Sequence, residues 1–259
     1  MAATANTTSN RAAADHAGER RFPNLAAGVL AAVVGAVLLV LAIPRFDAAV
    51  VALRAETALD ALQAHASPGL PLEQLTAAAD AAARSSRLAA APETAAMLGR
   101  LHLARALAIG PNQPEGQRAL AESRDATRQA LALAPGLPFE WLQLSYENLL
   151  GPGGAGSAIA PLRMSVHTGR YAYRLLFRRL DLALQLWTDL DAPLRQEFDD
   201  QVLVGARDKV NYVAILAWHH HRISELRRML ADQPELLAAF EKDVSRQGPN
   251  DYAVIQTSP

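Results

Sequence analysis

Ala130-Leu131-Ala132-Leu133-Ala134-Pro135-Gly136-Leu137-Pro138-Phe139-Glu140-Trp141 joins two helices and sets the pattern for the chain. Alanine and leucine are strong helix formers, so the first five residues read as a helix end. Pro135 and Gly136 cannot continue it and mark a turn. Three residues after Pro135 a new helix opens on Pro138. Outward from this junction the same punctuation recurs as SPGLP, AAP, GPNQP, GPGGAG, HTG and DAP. It cuts the body into helices over 46–66, 72–90, 93–108, 115–134, 138–150, 156–168, 171–187, 192–208 and 210–231, with a short last one over 234–245. Strand signals are almost absent, and the expected class is all-α.

Apolar spacing shows how these helices pack. Tyr173, Leu176, Phe177, Leu180, Leu184 and Trp187 form one stripe at helical spacing, while Leu175, Leu182 and Leu186 lie on another side. A helix apolar on two sides is held between neighbours, as in a layered stack.

Leu25–Ile43, LAAGVLAAVVGAVLLVLAI, is free of charge throughout. At about 1.5 Å per residue it is long enough to cross a hydrocarbon core of about 30 Å. Pro44 is expected to end it. Arg11, Arg20 and Arg21 precede the run and Arg45 and Arg54 follow it, a small excess that favours a cytoplasmic N-terminus and an external body. A signal-anchor is the leading reading. A cleaved signal fits less well, because its apolar region is usually shorter and Ile43-Pro44-Arg45 is a poor cleavage context. A buried core helix would need partners on all sides.

Lys+Arg 25 against Asp+Glu 26 leaves a near-neutral chain, which argues against a nucleic-acid partner. Nearly all the basic residues are arginine, consistent with a GC-rich bacterial coding bias. Cys 0 excludes disulfides, thiolate nucleophiles and cysteine-based metal sites. No cofactor and no metal are expected.

The junction around Pro135 resembles that of tetratricopeptide repeats. Pro135 takes the closing proline and Ala130 the small residue before it. Trp141 takes the aromatic anchor, Leu144 the leucine and Ser145 the small residue beside it. Asn148 departs from the family's tyrosine. One period on, Gly169 stands for a second proline and Met164 for a small residue. The resemblance implies a stack of helix pairs, each covering its neighbour's open face. A second resemblance rests on Pro161–Tyr171 and Arg178–Trp187, which look like single-span bacterial proteins of the VpsP-like polysaccharide biosynthesis type. It implies a place in exopolysaccharide or O-antigen assembly, with no catalytic residues attached.

Candidate chemistry is sparse. His219, His220 and His221 are adjacent, so on a helix their side chains diverge by about 100° and cannot close on one metal. His221 and Glu225 are the single i,i+4 pair of potential ligands there. Gly151–Gly156 lacks the Lys-Ser/Thr of a phosphate loop and reads as a connector. No serine sits in a nucleophile-elbow context. Arg170, Arg174 and Arg178 fall at i, i+4 and i+8, with Arg163 able to join them, and form a candidate surface for a phosphate or carboxylate. The alternative is pairing with Asp181, Asp189, Asp191, Glu197, Asp199 and Asp200. Trp141, Tyr146 and Phe139 could line a recognition groove or simply pack.

The expected organisation is a disordered cytoplasmic tail (1–22), a transmembrane signal-anchor (23–44), membrane-proximal helices (45–92), a repeat-like helical domain (93–246) and a second tail (247–259). The expected function is non-enzymatic: a scaffold in the bacterial inner membrane, with a periplasmic body docking proteins of a polysaccharide assembly. The alternative is a module binding an anionic lipid or acidic glycan through the arginine face.

Overall fold

The computed structural model describes residues 21–64, 70–248 and 251–252, and those residues are all-helical. Of the tail expected over 1–22, residues 1–20 lie outside them, while Arg21 and Phe22 already belong to the first helix; most of the stretch expected as a second tail also lies outside them. The helices are α1 (Arg21–Ala64), α2 (Leu72–Leu88), α3 (Pro92–Ile109), α4 (Pro114–Leu133), α5 (Pro138–Leu150), α6 (Gly154–Thr168), α7 (Leu176–Gln185), α8 (Ala192–His219), α9 (Ile223–Met229) and α10 (Pro234–Val244). Five helices from α3 onward open on Pro at their first turn, where its missing N–H costs nothing.

Four expected boundaries change. Pro44 does not end the first helix: α1 continues for 44 residues with Pro44 inside it. The proline takes one donor from the ladder, leaving the Val40 carbonyl without its usual partner. Helical phase persists beyond it because Ala48, Ala52, Ala55 and Leu59 form a buried stripe that packs on the body. The helix expected over 171–187 begins later, after a 3-10 turn at Tyr173–Leu175. The helix expected over 210–231 is split. The break expected near residue 209 survives only as a kink at Lys209 (φ −141°, ψ 73°), with helix on both sides. The true stop comes at His221, whose φ of 55° places it in the left-handed region. There the Arg222 N–H reaches back 2.8 Å to the Ala217 carbonyl.

One helix among the described residues, over Ala27–Ala61, is long and apolar enough to cross a membrane, and 0% of its most apolar window is buried against the body. A core helix would be covered instead.

Consecutive helices pack side by side. Ser85 near the end of α2 donates 2.9 Å to the Ala48 carbonyl near the middle of α1. Ala95 and Ala96 at the start of α3 meet Ala130 at the end of α4. Ser165 near the end of α6 donates 2.7 Å to the Pro138 carbonyl that opens α5. The end of α2 thus lies beside the middle of α1, and the starts of α3 and α5 beside the ends of α4 and α6; Thr127 on Gln143 and Ser123 on Glu147 set α4 against α5 in the same antiparallel way, so across their short turns α1–α6 alternate in direction. Two interiors result. Ala52, Ala55, Leu59, Ala78, Ala79, Ala82, Met97 and Leu101 make a thin alanine-rich seam between α1, α2 and α3. From α5 onward Leu162, Leu180, Leu184, Leu194, Phe198, Leu216 and Phe240 build a thicker leucine and phenylalanine core.

The seam has no room for larger side chains. Ala55→Leu, at a fully buried position, should destabilise the body by about 1–3 kcal/mol through overpacking. Ala49→Leu, on the exposed side of α1, should be neutral. Thermal unfolding followed by circular dichroism in detergent distinguishes them.

Candidate binding surface

The arginines do not form one helical stripe. Arg170 lies in the turn after α6, Arg174 in the 3-10 turn and Arg178 in α7. The regular spacing needs a helix from 170 onward, and the chain is not helical there. Two of the four arginines are occupied. Arg163 pairs with Asp191, and Arg170 lies 3.4 Å from Asp200. His167 stands 3.2 Å from Glu197, and the Tyr173 hydroxyl donates to Asp208. Together these contacts tie the end of α6 and the following turn along α8. Exposed pairs of this kind contribute little individually. Arg174 and Arg178 are exposed, and no acid among the described residues lies within ion-pair distance of either.

Arg179, which the spacing passes over, is the buried one, 1% exposed. Adjacent helical side chains diverge by about 100°, so Arg178 faces out while its neighbour faces in. Its Nε donates 3.0 Å to Ser165 Oγ, and its two terminal nitrogens donate to the Gly169 carbonyl at 2.8 Å and to the Ser165 carbonyl. The cation thus fills the negative end of α6, where helix carbonyls lack partners. Burial still lowers its pKa, to about 10. Gly169 fits the same crossing: a Cβ there would sit 2.6 Å from the Pro138 Cβ.

Trp141 and Tyr146 do not converge. Five residues apart on α5, they stand about 140° apart around its axis. Trp141 donates from its indole N–H to the Pro135 carbonyl at 2.7 Å and closes the turn before its own helix. Tyr146 packs against the leucine core, and burial, then the charge of Asp181, raises its hydroxyl pKa. Phe139 lies under the Arg100 guanidinium, 5.3 Å from its carbon to the ring centre.

The histidines stand beside Tyr252. His220 Nε2 is 2.6 Å from Asp181 Oδ1, and the Tyr252 hydroxyl donates 2.8 Å to that same oxygen. The His219 ring stacks on Tyr252 with centres 3.4 Å apart. Burial, then the neighbouring His220, lowers the His219 pKa. Tyr252 belongs to the stretch read from sequence as a tail, and it packs on the body. No group of three or more His, Cys, Asp or Glu among the described residues is placed to hold a metal ion.

One acid lies deep between α3, α4 and α5. Glu147 is fully buried and its Oε2 has no hydrogen-bond partner. Its Oε1 accepts from Thr127 Oγ1 at 2.9 Å and Gln143 Nε2 at 2.7 Å, and Ser123 Oγ is also in contact. Ser123 has a single proton but two acceptors, the second being the Gly99 carbonyl at 2.8 Å. Burial pushes the Glu147 pKa up to about 7, outweighing the hydrogen bonds and the charge of Arg124, which pull it down. A Cβ on Gly99 would meet Thr127 Oγ1 at 2.6 Å, so glycine makes the space for this cluster. The sequence signal was the i,i+4 pairs Ser123/Thr127 and Gln143/Glu147, polar residues on faces that are otherwise apolar.

The folded protein holds the Glu147 proton more tightly than the unfolded chain does. Its stability should therefore fall as pH rises from about 4.5 to about 7 and level off above that. The loss at this one site is roughly 3 kcal/mol. Glu147→Gln should remove that slope and be the more stable form above neutral pH. Urea unfolding of both proteins across this range is the measurement.

No protein-family model matches the chain, and no curated protein or solved structure matches it either.

Proposed function

We propose that this chain is a non-enzymatic scaffold anchored in a bacterial inner membrane, its helical body on the periplasmic side, docking proteins that assemble or export an exopolysaccharide or O-antigen. The observation that carries the anchored-scaffold reading is the continuity of α1, which runs as one helix from the exposed apolar stretch into the buried Ala48–Leu59 stripe. A body joined this way is held at a set orientation to the membrane rather than on a loose linker. The pathway rests on the resemblance of 161–187 to VpsP-like proteins, and the repeat-like stack on the Ala130–Ser145 junction. The periplasmic side rests on the arginine bias around the span.

A second reading, an anionic-ligand module, is favoured by Arg174 and Arg178, exposed and without an acid partner.

A reporter fused after Leu150 should report the periplasm, and a cytoplasmic signal there overturns the orientation. Cross-linked capture from envelope membranes should recover glycan-assembly proteins. Recovery of none overturns the scaffold reading. For the second reading, Arg174→Gln with Arg178→Gln should abolish binding of a soluble acidic polysaccharide such as polygalacturonate. Stability should change by less than about 0.5 kcal/mol, as for surface substitutions away from packed sites.

A further inference from the structure

Chain connectivity sorts the turns of the stack onto two edges. Because α1–α6 alternate in direction, the turns α2–α3, α4–α5 and α6–α7 share the edge at which the apolar half of α1 leaves the body. Three contacts mark that edge: Ser85 on Ala48, Ala95 and Ala96 on Ala130, and Ser165 on Pro138. The turns α3–α4 and α5–α6 lie on the opposite edge, where Ala106 meets Ala119 and Leu120, and Asn148 bonds the Ser157 carbonyl.

The two edges differ in chemistry. The far turns are Gly110-Pro111-Asn112-Gln113 and Gly151-Pro152-Gly153, small or polar and without a charge, and the helix ends beside that edge expose Leu72 (45%) and Leu107 (44%), so the difference between the edges lies in arginine and in Tyr171 rather than in leucine. The near turns expose Leu88 (45%), Leu133 (48%) and Tyr171 (92%). Beside them stand exposed Arg87, Arg170 and Arg174. Glu93 and Asp47 lie on the same edge and Asp200 takes up Arg170, while Arg87, Arg174 and Arg178 are exposed with no acid among the described residues within ion-pair distance. Isolated apolar residues and arginines, offered together on the side where the span emerges, match the chemistry of a headgroup layer: apolar tips for the interface and guanidinium for phosphate.

We propose that this edge docks onto the anionic surface of the bilayer that holds α1, so that the body lies against the membrane instead of standing clear of it. The inference rests on the anchored reading of α1. It assigns the occupant as the lipid headgroup layer, on the strength of charge complementarity and of the position of the edge beside the span.

The chain has no cysteine, so single cysteines report cleanly. The full chain would be reconstituted in phosphatidylcholine vesicles with or without phosphatidylglycerol. Fluorophores would sit at Ala90→Cys or Gly136→Cys on the near edge, Asn112→Cys on the far edge and Ala36→Cys in the span. Headgroup-level spin-labelled lipid should quench the near-edge labels, more strongly with phosphatidylglycerol, and leave Asn112→Cys unaffected. Acyl-chain spin labels should quench Ala36→Cys. Arg87→Gln and Arg174→Gln should each lower the docked-to-undocked ratio about fivefold. If Ala36→Cys is quenched while the near-edge labels stay as open to aqueous iodide as Asn112→Cys, docking is overturned and the anchor stands. Near-edge labels shielded from both iodide and lipid would mean that protein covers the edge, which also overturns it. An unquenched Ala36→Cys overturns the anchor and the docking together.

Discussion

The packing of α1 against α2 and α3 through alanine is the constraint on which the rest of this structure depends. Ala48, Ala52, Ala55 and Leu59 let the helix lie close to Ala78, Ala79 and Ala82, and that closeness holds its phase beyond Pro44. A proline inside a helix costs about 3 kcal/mol and loosens it. Here the loss is confined to the exposed portion, because the buried stripe begins only four residues later. The Ser85 bond to the Ala48 carbonyl pins the first residue of that stripe. Were α1 to fray there, the apolar stretch and the body would be joined by a swivel.

The two interiors divide the work. An alanine seam buries little area per residue, so its stability comes from close backbone approach rather than from large side chains. The core from α5 onward is of the ordinary kind, with leucine and phenylalanine filling the space between helices. Between them lies the polar cluster around Glu147. Every polar side chain in it has a partner within the cluster, only Glu147 Oε2 being left without one, and Gly99 leaves the room, so the cluster specifies how α3, α4 and α5 meet at a cost that depends on one proton.

The helical class and most boundaries were legible because punctuation and periodicity are local. The Pro and Gly at 135–138 act on their immediate neighbours whatever surrounds them. Pro44 was misread for the same reason: its local preference is to stop a helix, and only the distant Ala78, Ala79 and Ala82 of α2, with Met97 and Leu101 of α3, override it. The arginine spacing failed where it assumed a helix through 170–175. There Gly169 crosses Pro138 and Arg179 plugs the end of α6, contacts that join residues far apart in sequence. Arg178 and Arg179 are chemically identical in the sequence, and only the phase of α7 separates the exposed one from the buried one. Tyr252 could not be placed at all without its partners, Asp181 and His219, which are remote in the chain.

A scaffold in a membrane gains most when its surface is presented in one orientation, because confinement raises the effective concentration of partners held in the same plane. A flexible linker would spread that concentration over a hemisphere. The continuous α1 removes that freedom at the join, and the ion-paired turn between α6 and α7 removes it at the next layer, where Arg163, His167, Arg170 and Tyr173 bind α8. No single one of these exposed pairs is strong. Arrayed along one helix they resist the same sliding motion, so their effect is on register more than on stability. What this fold holds constant is therefore the placement of its outer helices relative to α1, and the proposed scaffold would need that before it needs any particular side chain.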